Sequence, residues 1–140
     1  MTTPLSPEHV FVYGTLRRSE KNHQSYLAGR YSSCRPATLA GRLFFEPHQG
    51  YPYLLPGRGV VHGEVFELIP ATAALTLQQL DRLEDYDPGD EAGSLYLRRR
   101  AEALLGNGTA LAVWVYYWNG PAIGEPVLGG DFTARKRQER

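Results

Sequence analysis

The sequence predicts an α+β fold: a small mixed, largely antiparallel bent sheet or barrel with few short helices. The 140 residues include 15 glycines and 10 prolines, which favour a loop-rich and strand-rich architecture. Short runs of β-branched and aromatic residues, bounded by turn residues, indicate several strands. Clear helical periodicity occurs in one segment, around Leu77. Antiparallel strands combined with a single helix are typical of the α+β class.

The length fits a single domain that spans residues 1–140. Its two ends, residues 1–8 and 134–140, are polar or charged, and we expect them to be mobile. A solvated tail is a better explanation of the charged C-terminal end than a nucleic-acid contact, because the chain has 15 basic and 15 acidic residues.

The first predicted strand ends in a loop with the chemistry of a binding site. Residues 10–16 read Val-Phe-Val-Tyr-Gly-Thr-Leu, so a strand-forming run stops at a glycine that is followed by a hydroxyl residue. Tyr13 places a phenol at the strand end. Gly14 permits φ values that other residues avoid and removes a side chain that would block a ligand. Successive backbone N–H groups in such a loop can hold an anion or an oxyanion, although a plain turn also explains the glycine.

Residues 39–46 and 59–68 are predicted to be the next two strands, with a turn-rich loop between them. Tyr51 stands in that loop beside a proline, and it forms either a wall of a binding pocket or part of a surface turn.

A hairpin is predicted near the C-terminal end of the chain. Residues 96–105 and 109–118 flank Gly-Asn-Gly at 106–108, which is a strong hairpin signal. We expect these two strands to be the longest. Both faces of the second strand are apolar, which predicts a central position in the sheet. One side of it carries Trp114, Tyr116 and Trp118.

A short helix is predicted to begin at Leu77, because Thr76 and Gln79 have the spacing of a capping box. At about 100° per residue, Glu84 lies within the apolar stripe of this helix and Asp81 lies toward its edge. A buried carboxylate needs a partner, a raised pKa or a position at a cavity. Glu84 is therefore either a functional carboxylate or a residue of the last turn that frays into solvent.

Three consecutive arginines, Arg98, Arg99 and Arg100, alternate along a predicted strand, so at least one of them points to the other face of the sheet. An inward arginine can pair with a substrate carboxylate or with Glu84.

Composition and residue spacing exclude several classes of protein. The formal net charge of zero gives no attraction to nucleic acid or to a membrane surface. No long apolar run or leader is visible, so we expect a cytoplasmic protein. Cys34 is the single cysteine, and the four histidines lack metal-ligand spacing, so no metal site is predicted. A nucleophilic role for Cys34 lacks a histidine partner.

Together these elements resemble the γ-glutamylcyclotransferase superfamily, including γ-glutamylamine cyclotransferases and AIG2-like proteins. The resemblance covers most of the chain. Its strongest element is Val-Phe-Val-Tyr-Gly-Thr-Leu-Arg-Arg at residues 10–18, with Asn22 and His23 following. Further matching elements are Gly-Tyr-Pro at 50–52, Val-His-Gly-Glu-Val-Phe at 61–66, Leu-Asp-Arg-Leu-Glu at 80–84, Leu-Tyr-Leu-Arg at 95–98, Val-Tyr at 115–116 and Gly-Asp-Phe at 130–132. The last of these departs from the family, in which a tryptophan more often follows the aspartate.

The resemblance implies a γ-glutamylcyclotransferase-like domain with a defined site. The substrate-cradling loop is Tyr13, Gly14, Thr15 and Leu16; Glu84 is the acid/base residue; and Tyr96 and Tyr116 are phenols of the pocket. The implied reaction is an intramolecular aminolysis of a small γ-glutamyl compound, which releases 5-oxoproline and an amine or amino acid without a cofactor. Two alternatives stay open. One is a non-catalytic, small-molecule-binding AIG2-like protein, and the other is an interaction module that docks through its Tyr/Trp-rich strand face.

Overall fold

The structure is a computed structural model that describes residues 8–14, 16–17, 20, 22–46 and 51–132, without the side chains of Glu46 and Tyr51. Its strands are β1 (His9–Val12), β2 (Tyr31–Glu46), β3 (Tyr51–Leu68), β4 (Tyr96–Leu105), β5 (Ala110–Trp118) and β6 (Glu125–Pro126). Its α-helices are α1 (His23–Tyr26) and α2 (Ala73–Leu83), and 3-10 turns occur at Glu91–Gly93 and Leu128–Gly130. No helix in this part of the chain is long and apolar enough to cross a membrane.

Five of these strands close into a barrel in the order β3-β1-β5-β4-β2, because β2 pairs with β3 as well as with β4. The pairing of β1 with β5 is parallel, and it places Val10 opposite Trp114. The neighbours pair antiparallel elsewhere in the barrel. Strand β6 adds to the far end of β2 as an extra strand. The predicted mixed, largely antiparallel barrel with few short helices is therefore confirmed, and β5 has the central position that its apolar faces predicted.

Strands β2 and β3 are longer than predicted. They begin at Tyr31 and Tyr51, well before the expected starts at Leu39 and Gly59. With 16 and 18 residues they exceed β4 and β5, which have 10 and 9, so the expectation that β4 and β5 are the longest strands is wrong. A register shift after Ala40 interrupts the strict alternation by which a strand is recognised in a sequence.

Two hydrophobic clusters cover the two faces of the barrel wall. The first fills the barrel with one face of each of the five barrel strands and includes Phe11, Leu39, Leu43, Val61, Val65, Val113 and Val115. The second packs the outer face against the helices and includes Val10, Val12, Phe66, Leu77, Leu80, Tyr96 and Tyr116. Consecutive residues of β5 thus alternate between the two clusters, which matches the predicted division of its faces.

Helix α2 begins at Ala73, about one turn before the predicted start at Leu77. Thr72 occupies the N-cap position without a capping hydrogen bond from its side chain. Thr76 donates its backbone N–H to the Thr72 carbonyl at 2.9 Å and is buried inside the helix. The predicted capping box is therefore wrong, because Thr76 belongs to the buried face. The helix ends at Leu83, just before Glu84.

Both ends of the described chain contact the barrel. The carboxylate of Glu8 accepts hydrogen bonds from Trp114 Nε1 at 2.7 Å and from Arg100 at 3.2 Å. Near the other end, Phe132 is buried with its ring 5.6 Å from that of Phe45. The remaining residues of the two predicted mobile ends lie outside the described residues.

The turn that precedes Phe132 requires a glycine, and this gives a first prediction. Gly130 has a φ of +68°, and a Cβ there would lie 1.9 Å from the carbonyl oxygen of Val60. We expect Gly130→Ala to lower the free energy of unfolding by roughly 2–4 kcal/mol. Chemical denaturation measures the change. The control is Gly129→Ala, where φ is +77° but a Cβ meets nothing within 4 Å. Equal losses in the two variants would contradict the steric explanation.

Candidate active site

A cavity of about 160 Å³ lies at the end of β1, where the chain turns at Tyr13 and Gly14. The start of β3, the end of α2 and the facing strands β4 and β5 complete its wall. The residues that line it are Phe11, Val12, Tyr13, Gly14, Leu16, Asn22, Pro52, Leu83, Glu84, Leu95, Tyr96 and Tyr116. The structure therefore brings together six of the predicted site residues. The other two cannot be placed, since Thr15 and the side chain of Tyr51 lie outside the described residues.

Glu84 brings an acidic group to this cavity. Its backbone N–H donates to the Leu80 carbonyl at 3.0 Å, which fixes the residue directly after the last turn of α2. The residue is only partly exposed, and burial raises the pKa of its carboxyl from 4.5 to about 7. A carboxyl with such a pKa accepts and returns protons near neutral pH. The alternative in which Glu84 frays into solvent does not describe this position.

Tyr13 contributes a neutral phenol and a rigid connection between strands. Its hydroxyl donates to the backbone carbonyl of Tyr116 at 2.6 Å, which ties the end of β1 to β5. Burial, together with the charge of Glu84, raises the pKa of Tyr13 well above its usual range, while a hydrogen bond to the backbone of Leu54 opposes the rise. Tyr13 therefore keeps its proton at neutral pH.

The loop after Tyr13 is shaped by close contacts. A Cβ on Gly14 would lie 2.9 Å from Cγ of Pro52, so the glycine makes room for the cavity wall. Its φ is outside the left-handed region, so the structure does not use the permissive φ that the sequence suggested. The carbonyl of buried Leu16 accepts a hydrogen bond from His23 Nδ1 at 3.2 Å. The other ring nitrogen of His23 lies 3.2 Å from the Tyr31 hydroxyl, within hydrogen-bond distance, so His23 connects the loop to β2.

Tyr96 lines the cavity from β4, and its hydroxyl donates to the backbone carbonyl of Pro52 at 3.3 Å. Behind it, the buried ring of Tyr53 stacks at a centroid distance of 6.2 Å. The segment that was predicted as a turn-rich loop thus contributes the first residues of β3 in its described part, and Pro52 is a wall of the cavity.

Tyr116 lines the cavity from β5 and belongs to a buried polar network that sequence reasoning missed. Its hydroxyl donates to Oδ1 of Asp81 at 2.6 Å, and Nε of Arg98 donates to the same oxygen at 2.9 Å. Burial and the hydrogen bond to Asp81 raise the pKa of Tyr116 well above its usual range. Two features of the sequence point to this network. Asp81 lies at the edge of the apolar stripe of the helix, and the next strand along the chain carries Arg98.

The three consecutive arginines form separate ion pairs. Arg98 pairs with Asp81 at 2.9 Å, Arg99 with Glu91 at 2.7 Å and Arg100 with Glu8 at 3.2 Å. The suggested pairing of an inward arginine with Glu84 is therefore wrong, because Asp81 lies one helical turn earlier and faces Arg98.

The predicted loop also contacts the C-terminal segment. Arg17, which follows Leu16, donates from its guanidinium to Asp131 at 2.9 Å, and its Nε lies 3.9 Å from a carboxylate oxygen of Glu64. The Gly-Asp-Phe element noted in the sequence thus holds the loop against β3.

Among the described residues, no three His, Cys, Asp or Glu side chains gather closely enough to hold a metal ion. The expectations of a cofactor-free reaction, of no nucleic-acid or membrane partner and of a cytoplasmic location stay predictions.

The fold and the cavity together define a class of protein, a small mixed β-barrel in which a carboxyl from the end of α2 lines a cavity at the end of the first strand. The family model of gamma-glutamyl cyclotransferase, AIG2-like proteins matches residues 10–134, and the chain belongs to this family. Membership supports an enzyme with general cyclotransferase activity toward a small γ-glutamyl molecule.

Individual relatives agree with this assignment. The gamma-L-glutamyl-butirosin B gamma-glutamyl cyclotransferase of Niallia circulans is 38% identical over 112 residues, which are 79% of this chain and 67% of that protein. The solution structure of protein ytfP from Escherichia coli is 28% identical, with a TM-score of 0.61 over 91% of this chain and 98% of that one. The crystal structure of an AIG2-like protein from Mus musculus is 25% identical, with a TM-score of 0.62 over 83% of this chain and 80% of that one.

Proposed function

We propose that this protein is a γ-glutamylcyclotransferase that releases 5-oxoproline and an amine or amino acid from a γ-glutamyl compound, with Glu84 as its acid/base residue. The observation that carries the proposal is the carboxyl of Glu84, which lines the cavity beside Tyr13 and Gly14 and has a pKa raised to about 7. The family's cyclotransferase activity supports the same class of reaction.

The proposed reaction closes a five-membered ring. The α-amine of the γ-glutamyl group attacks its own γ-carbonyl carbon, a carbon–nitrogen bond forms, and the bond to the departing nitrogen breaks. The α-ammonium gives up two protons and the departing nitrogen gains two, so the protons balance without a further reactant. The free amine is mostly protonated at neutral pH, and a base must therefore take its proton before attack.

Glu84 is suited to both proton transfers. A carboxylate at this position takes a proton from the ammonium, and the resulting carboxylic acid protonates the departing nitrogen. The second proton leaves the ring nitrogen and reaches the departed amine through solvent. A pKa of about 7 keeps both forms populated near neutral pH, whereas a fully exposed carboxyl is almost always ionised there.

The loop that begins at Tyr13 supplies the other contribution in this proposal. Attack places negative charge on the carbonyl oxygen, and backbone N–H groups of the loop after Tyr13 are the proposed donors to it. The cavity, with Pro52 and the rings of Tyr96 and Tyr116 as walls, holds the γ-glutamyl chain folded so that the amine lies near the carbonyl carbon.

The test is an assay of 5-oxoproline release from a panel of γ-glutamyl amines, γ-glutamyl dipeptides and glutathione. Release from at least one compound, which vanishes in Glu84→Gln, supports the proposal. Thermal stabilisation by these compounds without any release would instead support the non-catalytic binding protein.

The docking alternative has no support from the aromatic strand face. Tyr116 is buried, and Trp114 and Trp118 pack against the same cluster beneath the helices. Trp114 also donates its indole N–H to Glu8. Tyr116 is therefore not available for docking, and the two tryptophans are partly buried by contacts within the described structure.

A second prediction concerns Cys34. This half-buried residue lies on β2 opposite Phe66 and does not line the cavity. We therefore expect Cys34→Ser, and wild-type protein treated with a thiol-blocking reagent, to keep 5-oxoproline release within about threefold of the untreated wild type. Loss of turnover in folded Cys34→Ser protein would contradict Glu84 as the central group.

A further inference from the structure

The hydroxyl of Tyr116 already donates its one hydrogen bond to another residue of the protein. Tyr116 is 3% exposed, and its O–H donates to Oδ1 of Asp81 at 2.6 Å. A phenol has one O–H to donate but two lone pairs that accept. A ligand in the cavity that reaches this oxygen therefore meets an acceptor, and the proton cannot be offered to a substrate carbonyl while Asp81 holds it.

Arg98 fixes the acceptor that holds this proton. Its Nε donates to Oδ1 of Asp81 at 2.9 Å, and a terminal nitrogen donates to Oδ2 at 3.3 Å. The guanidinium also lies 4.4 Å from the ring centroid of Trp114. Such a two-point contact orients the carboxylate, because both oxygens have a fixed donor. Asp81 and Tyr116 are thereby fixed relative to each other across α2 and β5.

The reacting group of the proposed substrate needs acceptors of this kind. An α-ammonium has three N–H donors, and Glu84 takes the proton from only one of them. Glu84 and Tyr116 both line the described cavity, and the two side chains are close enough that the charge of Glu84 adds to the effect of burial and of Asp81 in raising the pKa of Tyr116. An oxygen that can only accept a hydrogen bond binds a ligand group with an N–H donor more favourably than a group that is itself only an acceptor.

We infer that Asp81, held by Arg98, is a positioning residue that accepts the hydrogen bond of the Tyr116 hydroxyl and so leaves the phenol oxygen free to act only as an acceptor for the α-ammonium group of the substrate. The inference rests on the proposed function, since it concerns the same cavity and the same substrate class. Asp81 acts through Tyr116 and has no contact of its own with the reacting atoms.

The experiment uses two probes that cannot cyclise, so that binding is measured apart from turnover. S-Butyl-L-homocysteine sulfone carries a sulfonyl group in place of the γ-carbonyl, and 4-(butylsulfonyl)butanoic acid is the same molecule without the α-amine. Isothermal titration of the full chain with each probe gives a ratio of affinities that reports recognition of the ammonium group alone. We expect wild-type protein to prefer the amine-bearing probe by about tenfold or more.

The variants separate positioning from a general structural effect. We expect Asp81→Leu, which has nearly the same size but no acceptor, and Tyr116→Phe each to reduce the preference by about tenfold and to leave the affinity for the amine-free probe unchanged. The double variant is expected to lose no more than either single one, because Asp81 acts only through the phenol. The matched control is Glu91→Gln, which breaks the exposed pair with Arg99 on the same strand and should change neither affinity.

Three results would overturn the inference: wild-type protein that shows no preference for the amine-bearing probe, a Tyr116→Phe variant that keeps the full preference, or an Asp81→Leu variant that loses both probes equally. Should Asp81→Leu fail to fold, Arg98→Lys replaces it, with a smaller loss of preference expected and an unchanged preference counting against the inference. Failure of the proposed function looks different, since wild-type protein would then keep the preference and release no 5-oxoproline.

Discussion

Glu84→Gln is expected to reduce 5-oxoproline release by about a hundredfold or more while the protein keeps or gains stability at neutral pH. Glutamine has nearly the same shape as glutamate and fills the same position after α2. It can neither take a proton from the α-ammonium nor return one to the departing nitrogen. The measurement combines the release assay with thermal and chemical unfolding of both proteins.

The pH dependence of stability gives an independent check on the same residue. The carboxyl of Glu84 has a pKa of about 7 in the folded protein against 4.5 as its ordinary value, so the folded state holds its proton to higher pH than the unfolded chain. The stability from this difference is fully present below pH 4.5 and is lost as the pH rises through 7. Glutamine does not ionise, so the stability of the variant relative to wild type should increase by roughly 3 kcal/mol over that range.

Asp85→Asn is the matched control, because it makes the same chemical change at the next residue, which is exposed. Its backbone has a φ of +52°, which asparagine also adopts readily. The control should change neither the release of 5-oxoproline nor the pH dependence of unfolding. Turnover retained by folded Glu84→Gln protein would end the proposed mechanism.

Gly14→Val is expected to lose most of the activity in a protein that still folds. The added Cβ alone would lie 2.9 Å from Cγ of Pro52, which also lines the cavity, and the methyl groups of valine extend further. Either the loop or Pro52 must shift, and a shift of about 1 Å at a positioned loop costs about a hundredfold in rate. Turnover and a melting curve for each variant measure the effect.

Two comparisons sharpen the result for Gly14. Thr15→Ala should be milder, because the proposed contribution of the loop is made by its backbone. Gly106→Val is the control for adding a valine at a glycine, since a Cβ there meets nothing within 4 Å in the β4–β5 turn. Equal losses of activity in Gly14→Val and Thr15→Ala, with both proteins folded, would count against a backbone cradle.

The parts of the fold that depend on local patterns were predictable from the sequence. The Gly-Asn-Gly hairpin between β4 and β5 has a strong local signal, and Gly108 adopts the expected positive φ of +85°. The early parts of β2 and β3 have no such signal, because pairing between the two strands keeps in the sheet residues such as Pro36 and Pro52 that on their own indicate turns. Long-range pairing overrides local preference there.

In the candidate site, too, the features that depend on local sequence were predictable, and those that depend on long-range packing were not. The helical wheel placed Glu84 on the apolar face, and its position depends mainly on the period of α2, even though the helix starts earlier than predicted. The contact of Asp81 with Arg98 and Tyr116 depends on how α2 lies across β4 and β5. That packing depends on many side chains from distant parts of the chain, so no single segment of the sequence predicts it.

The parallel pairing of β1 with β5 has a consequence for synthesis of the chain. Strand β1 is made first, yet both of its neighbours, β3 and β5, come later, and β5 ends at Trp118. A growing chain on the ribosome can pair β1 with β3 once Leu68 has been added, but the other edge of this apolar strand stays open until β5 has been made, a state that favours aggregation. Glu84 and Tyr13 face a common cavity only once this last seam has closed. Enzymatic activity should therefore appear late in folding and in a single step. The time at which activity appears during refolding would report when the barrel closes.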